Sequence, residues 1–363
     1  MTFYQELQLN QAGSKAYIAS FPNPKDRIKH SGIYLFKILL TVAFCTLFIA
    51  LFSVFFGAEN SIAGLAVLLS IMVFRQADLG IRATHGVADI FLVFALLAVG
   101  PRISNLLPAG GAFCVNVFFI MLFMLFGCHH VIMYNHSTLV LAYLLLQGYD
   151  VTGELYVRRL LGLLVGAVLT AAVYYRNHRA NSYKRTFISL FQEFNLSSAR
   201  TKWQLRHTLT ISSIMLIATL LHVPKAMWAG IAAMSVCVPF RKDLVFRVKY
   251  RILGNVLGGV LFIAAYMLLP QGAVSYMGIL GGIGTGLSAS YGWQTAFNAF
   301  SSLSTAAPTL GMWQACLIRI AYNTAASVYT WLFDQIFEPV VSAVYEKLEV
   351  IKAKRHNQIK AAD

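Results

Sequence analysis

Arg159 and Arg319 are the residues whose placement asks for chemistry. Each stands some six to eight residues inside a strongly apolar stretch, behind Glu154 in one case and Gln314 in the other. An arginine centred in a membrane-spanning helix costs about 2.5–3.5 kcal/mol on insertion scales, so a matched pair needs a reason. The planar guanidinium fork binds carboxylates through two parallel hydrogen bonds, and two such groups facing one seam form an anion site. Snorkelling to the membrane interface is the structural alternative. Arg158 lies about 100° around the helix from Arg159 and reaches the interface instead.

A second set is basic with interspersed acid. Arg75, Asp78 and Arg82 match Arg241, Asp243 and Arg247, with Lys249 and Arg251 added in the second copy. Both copies read F-R, then D-L-x-x-R, and each precedes a long apolar run. The set serves either as a topology anchor with local Asp–Arg pairing or as a basic vestibule that concentrates an anion. Asp89 is an isolated acid one helical turn beyond His85, placed for a packed His–Asp hydrogen bond or for proton coupling. His129, His130 and His136 cluster without the spacing of a zinc motif. The chain has no Gly-Lys-Ser/Thr phosphate loop and no G-x-S-x-G elbow, so neither ATP-driven transport by this chain nor an enzyme is expected. Catalytic residues, metal and cofactor are all expected to be none.

These side chains need elements that hold them in a membrane. Hydrophobic residues make up 58% of the 363 positions and charged residues 12%, against roughly 45–50% and 25% in soluble domains. Runs approaching 18 apolar residues recur along the chain, and they do not alternate as barrel strands would. We expect about 12 transmembrane helices, at 32–56, 61–75, 84–101, 111–127, 131–147, 155–175, 207–222, 226–240, 252–269, 273–289, 295–308 and 312–333. Several are short for a full crossing. Pro101 and Pro308 read as turn residues at helix ends. Of 29 Lys and Arg, 23 fall in 1–31, 75–84, 176–207, 241–251 and 334–363. That distribution obeys the positive-inside rule with both termini cytoplasmic, and it accounts for the net charge of +15 without nucleic acid. The five cysteines form no C-x-x-C pair and read as buried thiols.

The organisation is then 1–31 as a cytoplasmic N-terminal segment, 32–175 as a first six-helix repeat and 176–206 as a cytoplasmic linker. A second repeat at 207–333 and a basic C-terminal helix or tail at 334–363 complete it. An even number of spans per half makes the repeats parallel, with a pathway expected at their seam. The linker stretch 183–194 is mildly amphipathic and could lie on the membrane surface. Gly162 and Gly166, Gly254 and Gly258, and the glycines of 281–286 allow close helix approach.

Met227-Trp228-Ala229-Gly230-Ile231-Ala232-Ala233, then Arg241, Arg247 and Arg251-Ile252-Leu253-Gly254-Asn255-Val256-Leu257-Gly258-Gly259, resembles the fusaric-acid-resistance (FUSC-like) family, whose superfamily includes aromatic acid exporters. Arg159-Leu160-Leu161-Gly162 with Gly166 is similar to the element closing that family's first half. The resemblance implies an organic-anion exporter or channel, with Trp228, Arg247, Arg251 and Arg159 at matching positions. The first half has no equivalent tryptophan and carries Gly86 and Asp89 where the family element has Arg and Gly.

The combined expectation is an ATP-independent transporter in a bacterial inner membrane, exporting organic anions such as aromatic carboxylates. Arg82 and Arg247 gather the anion, Trp228 offers an aromatic wall, Arg159 and Arg319 receive it, and Asp89 or His85 couples protons. A passive anion channel and a non-transporting membrane scaffold are the alternatives. The expected partners are the anion, the bilayer and either a second copy of the chain or an envelope complex that it serves as an accessory subunit.

Overall fold

The computed structural model of the chain describes residues 1–128, 131–133, 135–274 and 276–360, with side chains for all of these except Gln271 and residues 345–360. Every regular element among the described residues is helical. Lipid offers no partner to a backbone N–H or C=O, so a chain this apolar closes its hydrogen bonds within each segment. Twelve of the described helices have ten residues or more: α1 (Pro24–Phe56), α2 (Ser61–Phe74), α3 (Ala83–Leu106), α4 (Ala109–Gly127), α5 (His136–Gly148), α6 (Gly153–His178), α7 (Ala199–Leu220), α8 (Met227–Val236), α9 (Leu244–Leu268), α10 (Met277–Leu287), α11 (Tyr291–Leu310) and α12 (Met312–Lys360). Shorter helices cover Phe3–Gln8, Gln11–Ala19, Phe187–Gln192 and Gln271–Val274.

The twelve overlap the twelve stretches expected from the sequence. Among the described residues, five segments are long and apolar enough to cross a membrane: Pro24–Phe56, Ala83–Leu106, Ala109–Gly127, Gly153–His178 and Arg241–Leu268. α2, α8 and α10 are apolar but shorter. The architecture is therefore that of an all-α protein with several membrane-spanning helices.

Several helix boundaries differ from expectation. Pro101 and Pro308 lie inside α3 and α11 and do not end them. Proline removes one intrahelical bond and its ring crowds the preceding turn. Near Pro101 the Tyr156 hydroxyl donates to the Ala98 carbonyl at 3.0 Å, which ties α6 to this turn of α3, while the carbonyl that the proline leaves without its helical donor is that of Leu97. α7 starts at Ala199, eight residues before the expected span, and its first turns bury Trp203, Gln204, Arg206 and His207. α12 continues without a break through Asp334 and Pro339 into what reads from sequence as a tail. Between α11 and α12 the chain turns at Gly311, whose φ of 81° is open to glycine at little cost.

The chain divides into two compact units, one of Met1–Phe55 with Val245–Ser327 and one of Phe56–Leu244 with Val328–Asp363. In the first, α10 packs along α11, and Gly281 and Gly284 meet Ser301 and Phe297. Tyr34 of α1 donates to the Gly286 carbonyl at 2.9 Å. The N-terminal segment folds back on α1, where Lys37 Nζ reaches the Leu9 carbonyl at 2.9 Å and Ser14 Oγ at 2.7 Å. That satisfies a lysine that stands inside an apolar run.

In the second unit α3 lies on α6, α4 on α7, α2 on α6 and α8 on α5. Phe74, Phe123, Tyr143 and Tyr174 are fully buried. Gly166 meets Val67 and Phe94, and Gly86 meets Tyr174, so missing side chains let these helices close on one another. Phe187 and Phe191 of the linker stack on Phe126 at the end of α4, so part of the amphipathic stretch 183–194 is used against protein.

Asp78 ties this linker down. Its carboxylate accepts from the Gly80 amide at 3.0 Å, Asn181 Nδ2 at 2.7 Å and the Tyr183 hydroxyl at 2.8 Å, with His178 Nδ1 at 3.8 Å. The Arg82 amide donates to the Arg185 carbonyl at 3.0 Å, and the Phe187 amide to His85 Nδ1 at 3.2 Å. Burial alone raises the pKa of Asp78, but the three donors and His178 outweigh it and hold the carboxyl below its ordinary value. A depressed carboxyl stabilises the fold above its unfolded value of about 3.9 and stops doing so as pH falls through the folded value. Hydrogen exchange of residues 178–187, corrected for intrinsic rates, should therefore lose protection as pH drops below about 4. Asp78→Asn should show the low protection already at pH 7 and change little on acidification.

Candidate functional site

The first unit gathers a polar face from two helices. Arg247, Arg251 and Asn255 follow one another at four-residue spacing on α9, and Arg319, Asn323 and Ser327 do the same on α12, so each set shares a helix face. Small residues bring α9 close to its neighbours: a Cβ at Gly254 would stand 2.8 Å from the Gly292 carbonyl oxygen of α11, and one at Gly259 would stand 3.2 Å from Ile320 of α12. Arg251 Nε then donates to Asn323 Oδ1 at 3.0 Å, and Asn323 Nδ2 donates to the Arg319 carbonyl at 2.8 Å. Asn255 Nδ2 donates to the Arg251 carbonyl at 2.8 Å. Arg251, Asn255, Arg319, Asn323 and Ser327 are all buried. Arg247 is half-buried, with its guanidinium 4.7 Å from the centre of the Tyr291 ring.

The charge balance here is one-sided. Residues 245–327 contain Arg247, Lys249, Arg251 and Arg319 and not one Asp or Glu. Among the described residues the side-chain hydrogen bond of Arg251 goes to a neutral amide and it makes no ion pair. A buried guanidinium normally finds a carboxylate, because removing the charge from water costs several kcal/mol.

The second unit treats its charges differently. Arg206, buried on α7, pairs with Asp334 of α12, and its Nη2 donates to the Val238 carbonyl at 2.7 Å. Arg241 donates through Nε and Nη2 to the other Asp334 oxygen at 2.9 and 2.7 Å. Arg102 pairs with Asp150 at 2.5 Å. Arg159, also buried, donates from Nε to Asn60 Oδ1 at 2.9 Å and from Nη2 to the Tyr149 carbonyl at 2.7 Å, with Leu146 O at 3.4 Å from Nη1. Two of these acceptors lie at the C-terminal end of α5, where the helix dipole concentrates negative partial charge. Arg159 thus closes the last turn of α5.

The expected site residues are distributed between the units. Arg251 reaches Asn323, one turn beyond Arg319 on α12 and bonded to the Arg319 backbone carbonyl, and Arg247 stands one turn away on α9. Arg159, Arg82, Trp228, His85 and Asp89 belong to the second unit. Trp228 is buried in α8, and Arg82 is exposed at the start of α3. Asp89 is fully buried with neither carboxyl oxygen hydrogen-bonded, and His85 accepts from the Phe187 amide. The packed His85–Asp89 hydrogen bond does not form, because the linker occupies the imidazole. Asp78 holds the linker and Arg241 pairs with Asp334, so these two residues are used across longer separations than local Asp–Arg pairing would use them. His129 and His130 lie outside the described residues, and His136 meets Trp203 and His207 edge to face. No cluster of three metal-ligating side chains occurs among the described residues.

The apolar helices define a multi-pass membrane protein. A family model described as fusaric acid resistance protein-like matches residues 212–333, about a third of the chain, which bears out the FUSC-like resemblance read from 227–259. Trp228, Arg247, Arg251, Asn323 and Arg319 fall within the match; Arg82, Asp89 and Arg159 precede it. No curated protein and no solved structure matches the chain.

Sequence reading missed the Arg206–Asp334–Arg241 arrangement. Its signal is an acid, Asp334, directly after the last apolar run, at the first position of the expected basic C-terminal helix or tail. Asp334→Asn should cost about 3–5 kcal/mol, because it leaves Arg206 buried without its counter-charge. A thermal melt of the purified protein checks this, with Glu338→Gln at a half-exposed neighbour as the control that changes little.

Proposed function

We propose that the chain is an ATP-independent membrane transporter of organic anions, exporting carboxylates with an aromatic or otherwise apolar body from a bacterial cytoplasm across the inner membrane. A transporter-type role rests on the family match and the apolar helices. The anion rests on one observation: the buried Arg251, bonded to a neutral amide and neighboured by Arg319, in a stretch of chain without a carboxylate. A ligand carboxylate there would supply the missing counter-charge and match the planar donor fork. Its partial withdrawal from water would be offset by the standing positive potential of Arg247, Lys249 and Arg319.

In this reading Arg247 and Arg82 gather the anion at the cytoplasmic face, and Arg251 with Arg319 receives it. The receiving role expected of Arg159 is not carried over, because Asn60 and the end of α5 already occupy its donors. Trp228 contributes through packing in α8. Asp89, a carboxyl without a hydrogen-bond partner in an apolar interior, is the group placed to take up and release a proton.

Flux of a carboxylate panel into proteoliposomes tests the anion site. Arg251→Gln should lower carboxylate flux at least tenfold, and Arg251→Lys should retain part of it, since the charge remains while the fork is lost. Full flux in a well-folded Arg251→Gln protein would sink the proposal. Proton coupling has its own readout: Asp89→Asn should leave carboxylate movement down its own gradient intact while abolishing acceleration by an imposed pH gradient. Undiminished acceleration in that variant removes Asp89 from the mechanism.

A further inference from the structure

A cavity of about 220 Å³ lies wholly within the second unit, lined by residues from the start of α7, the turn before α9 and the continuation of α12. Trp203, Arg206 and Phe337 are buried in its wall, while Ser197, Ala199 and Arg241 are exposed. Its lining therefore has an aromatic part, Trp203 and Phe337, and a basic part, Lys202, Arg206 and Arg241.

The basic part is held unevenly. Asp334 uses one oxygen for Arg206 and the other for Arg241, so its capacity is spent. Glu338 is the remaining acid, and it is loosely placed, 3.5 Å from Lys202 Nζ and 3.8 Å from Arg241 Nη1, beyond good hydrogen-bond length for either. Its side chain is 36% exposed. Three cations thus share two carboxylates, one of them poorly engaged. Arg206 Nε is buried and hydrogen-bonded to nothing, in a side chain 4% exposed. The site is one acceptor short.

From this geometry we infer that the cavity is a second anion site, taking a small monoanion with an apolar body of about one ring, and that Glu338 is its tethered competitor. Size sets the upper limit: an apolar cavity of about 150 Å³ accepts benzene, so this one holds a ring and a carboxylate but not a nucleotide. Charge selects a monoanion, because Asp334 already neutralises part of the cluster. Aromatic walls favour a ligand with an apolar face over a hydrated inorganic ion. The inference concerns other residues and another unit than the anion site at Arg251, so it stands or falls without it.

Sodium benzoate is a suitable probe, with benzamide as its uncharged isostere. Hydrogen exchange of residues 197–206 in the purified full-length protein reads this cavity locally. Benzoate should protect these residues and benzamide should not. Glu338→Gln should lower the half-saturating benzoate concentration about three- to tenfold, and Lys202→Gln should raise it by a similar factor, as expected for a half-exposed charge. Arg251→Gln should leave the titration unchanged. Equal protection by benzamide, no protection by benzoate, or an unchanged midpoint in Glu338→Gln would each overturn the inference. Inorganic phosphate protecting as well as benzoate would overturn the apolar-body requirement and with it the assignment.

Discussion

A guanidinium withdrawn from water must meet oxygen, and the placement of helices in this protein follows from where that oxygen is found. Arginine stays charged at any accessible pH, so the fold cannot escape the requirement by releasing a proton. Arg159 meets it with the side chain of Asn60 and the carbonyls that close α5. Arg206 meets it with Asp334, which draws the start of α7, the turn before α9 and the far part of α12 to one carboxylate. Each solution fixes a helix end that apolar packing alone would leave free to slide, since one Leu or Ile surface in lipid resembles another.

Arg251 is answered by an amide. An asparagine oxygen accepts a hydrogen bond but carries no charge, so geometry is satisfied while electrostatics is not. Asn323 also donates to the carbonyl one turn before it, at Arg319, which locks its orientation and aims its oxygen at Arg251. The result is a rigid positive site on close-packed helices, held open by small residues at 254 and 259. Rigidity matters for recognition, because donors fixed in advance lose little freedom when a ligand arrives.

Much of this was legible in the sequence. Apolar runs marked where the longer described helices lie, five of them in segments long and apolar enough to cross a membrane, and the positions of Arg247, Arg251 and Arg319 marked the face that carries the charge. What sequence could not give were contacts across long separations. Asp78 stands three residues from Arg75 and four from Arg82, yet its partners are Asn181 and Tyr183. Asp334 is the first residue of the expected basic C-terminal helix or tail, and it is buried against Arg206. Asp89 and His85 are one turn apart and still do not bond, because a backbone amide from the linker reaches the imidazole first. Proline misled in its own way: Pro101 and Pro308 are carried inside α3 and α11 and do not end them.

The first compact unit is assembled from two stretches of chain separated by about 190 residues. At a synthesis rate of roughly 5–20 residues per second, α1 is made some 10–40 s before α9 to α11 exist. The second unit has no such delay through α8, since α2 to α8 emerge consecutively and Asn60 can meet Arg159 as soon as α6 is complete. For that interval the long apolar surface of α1, with Phe44, Leu47, Leu51 and Phe55 exposed along it, waits for the later helices of its own unit. Biogenesis of this protein is thus a matter of custody: its earliest long helix must be kept in the bilayer until its latest neighbours within the unit arrive.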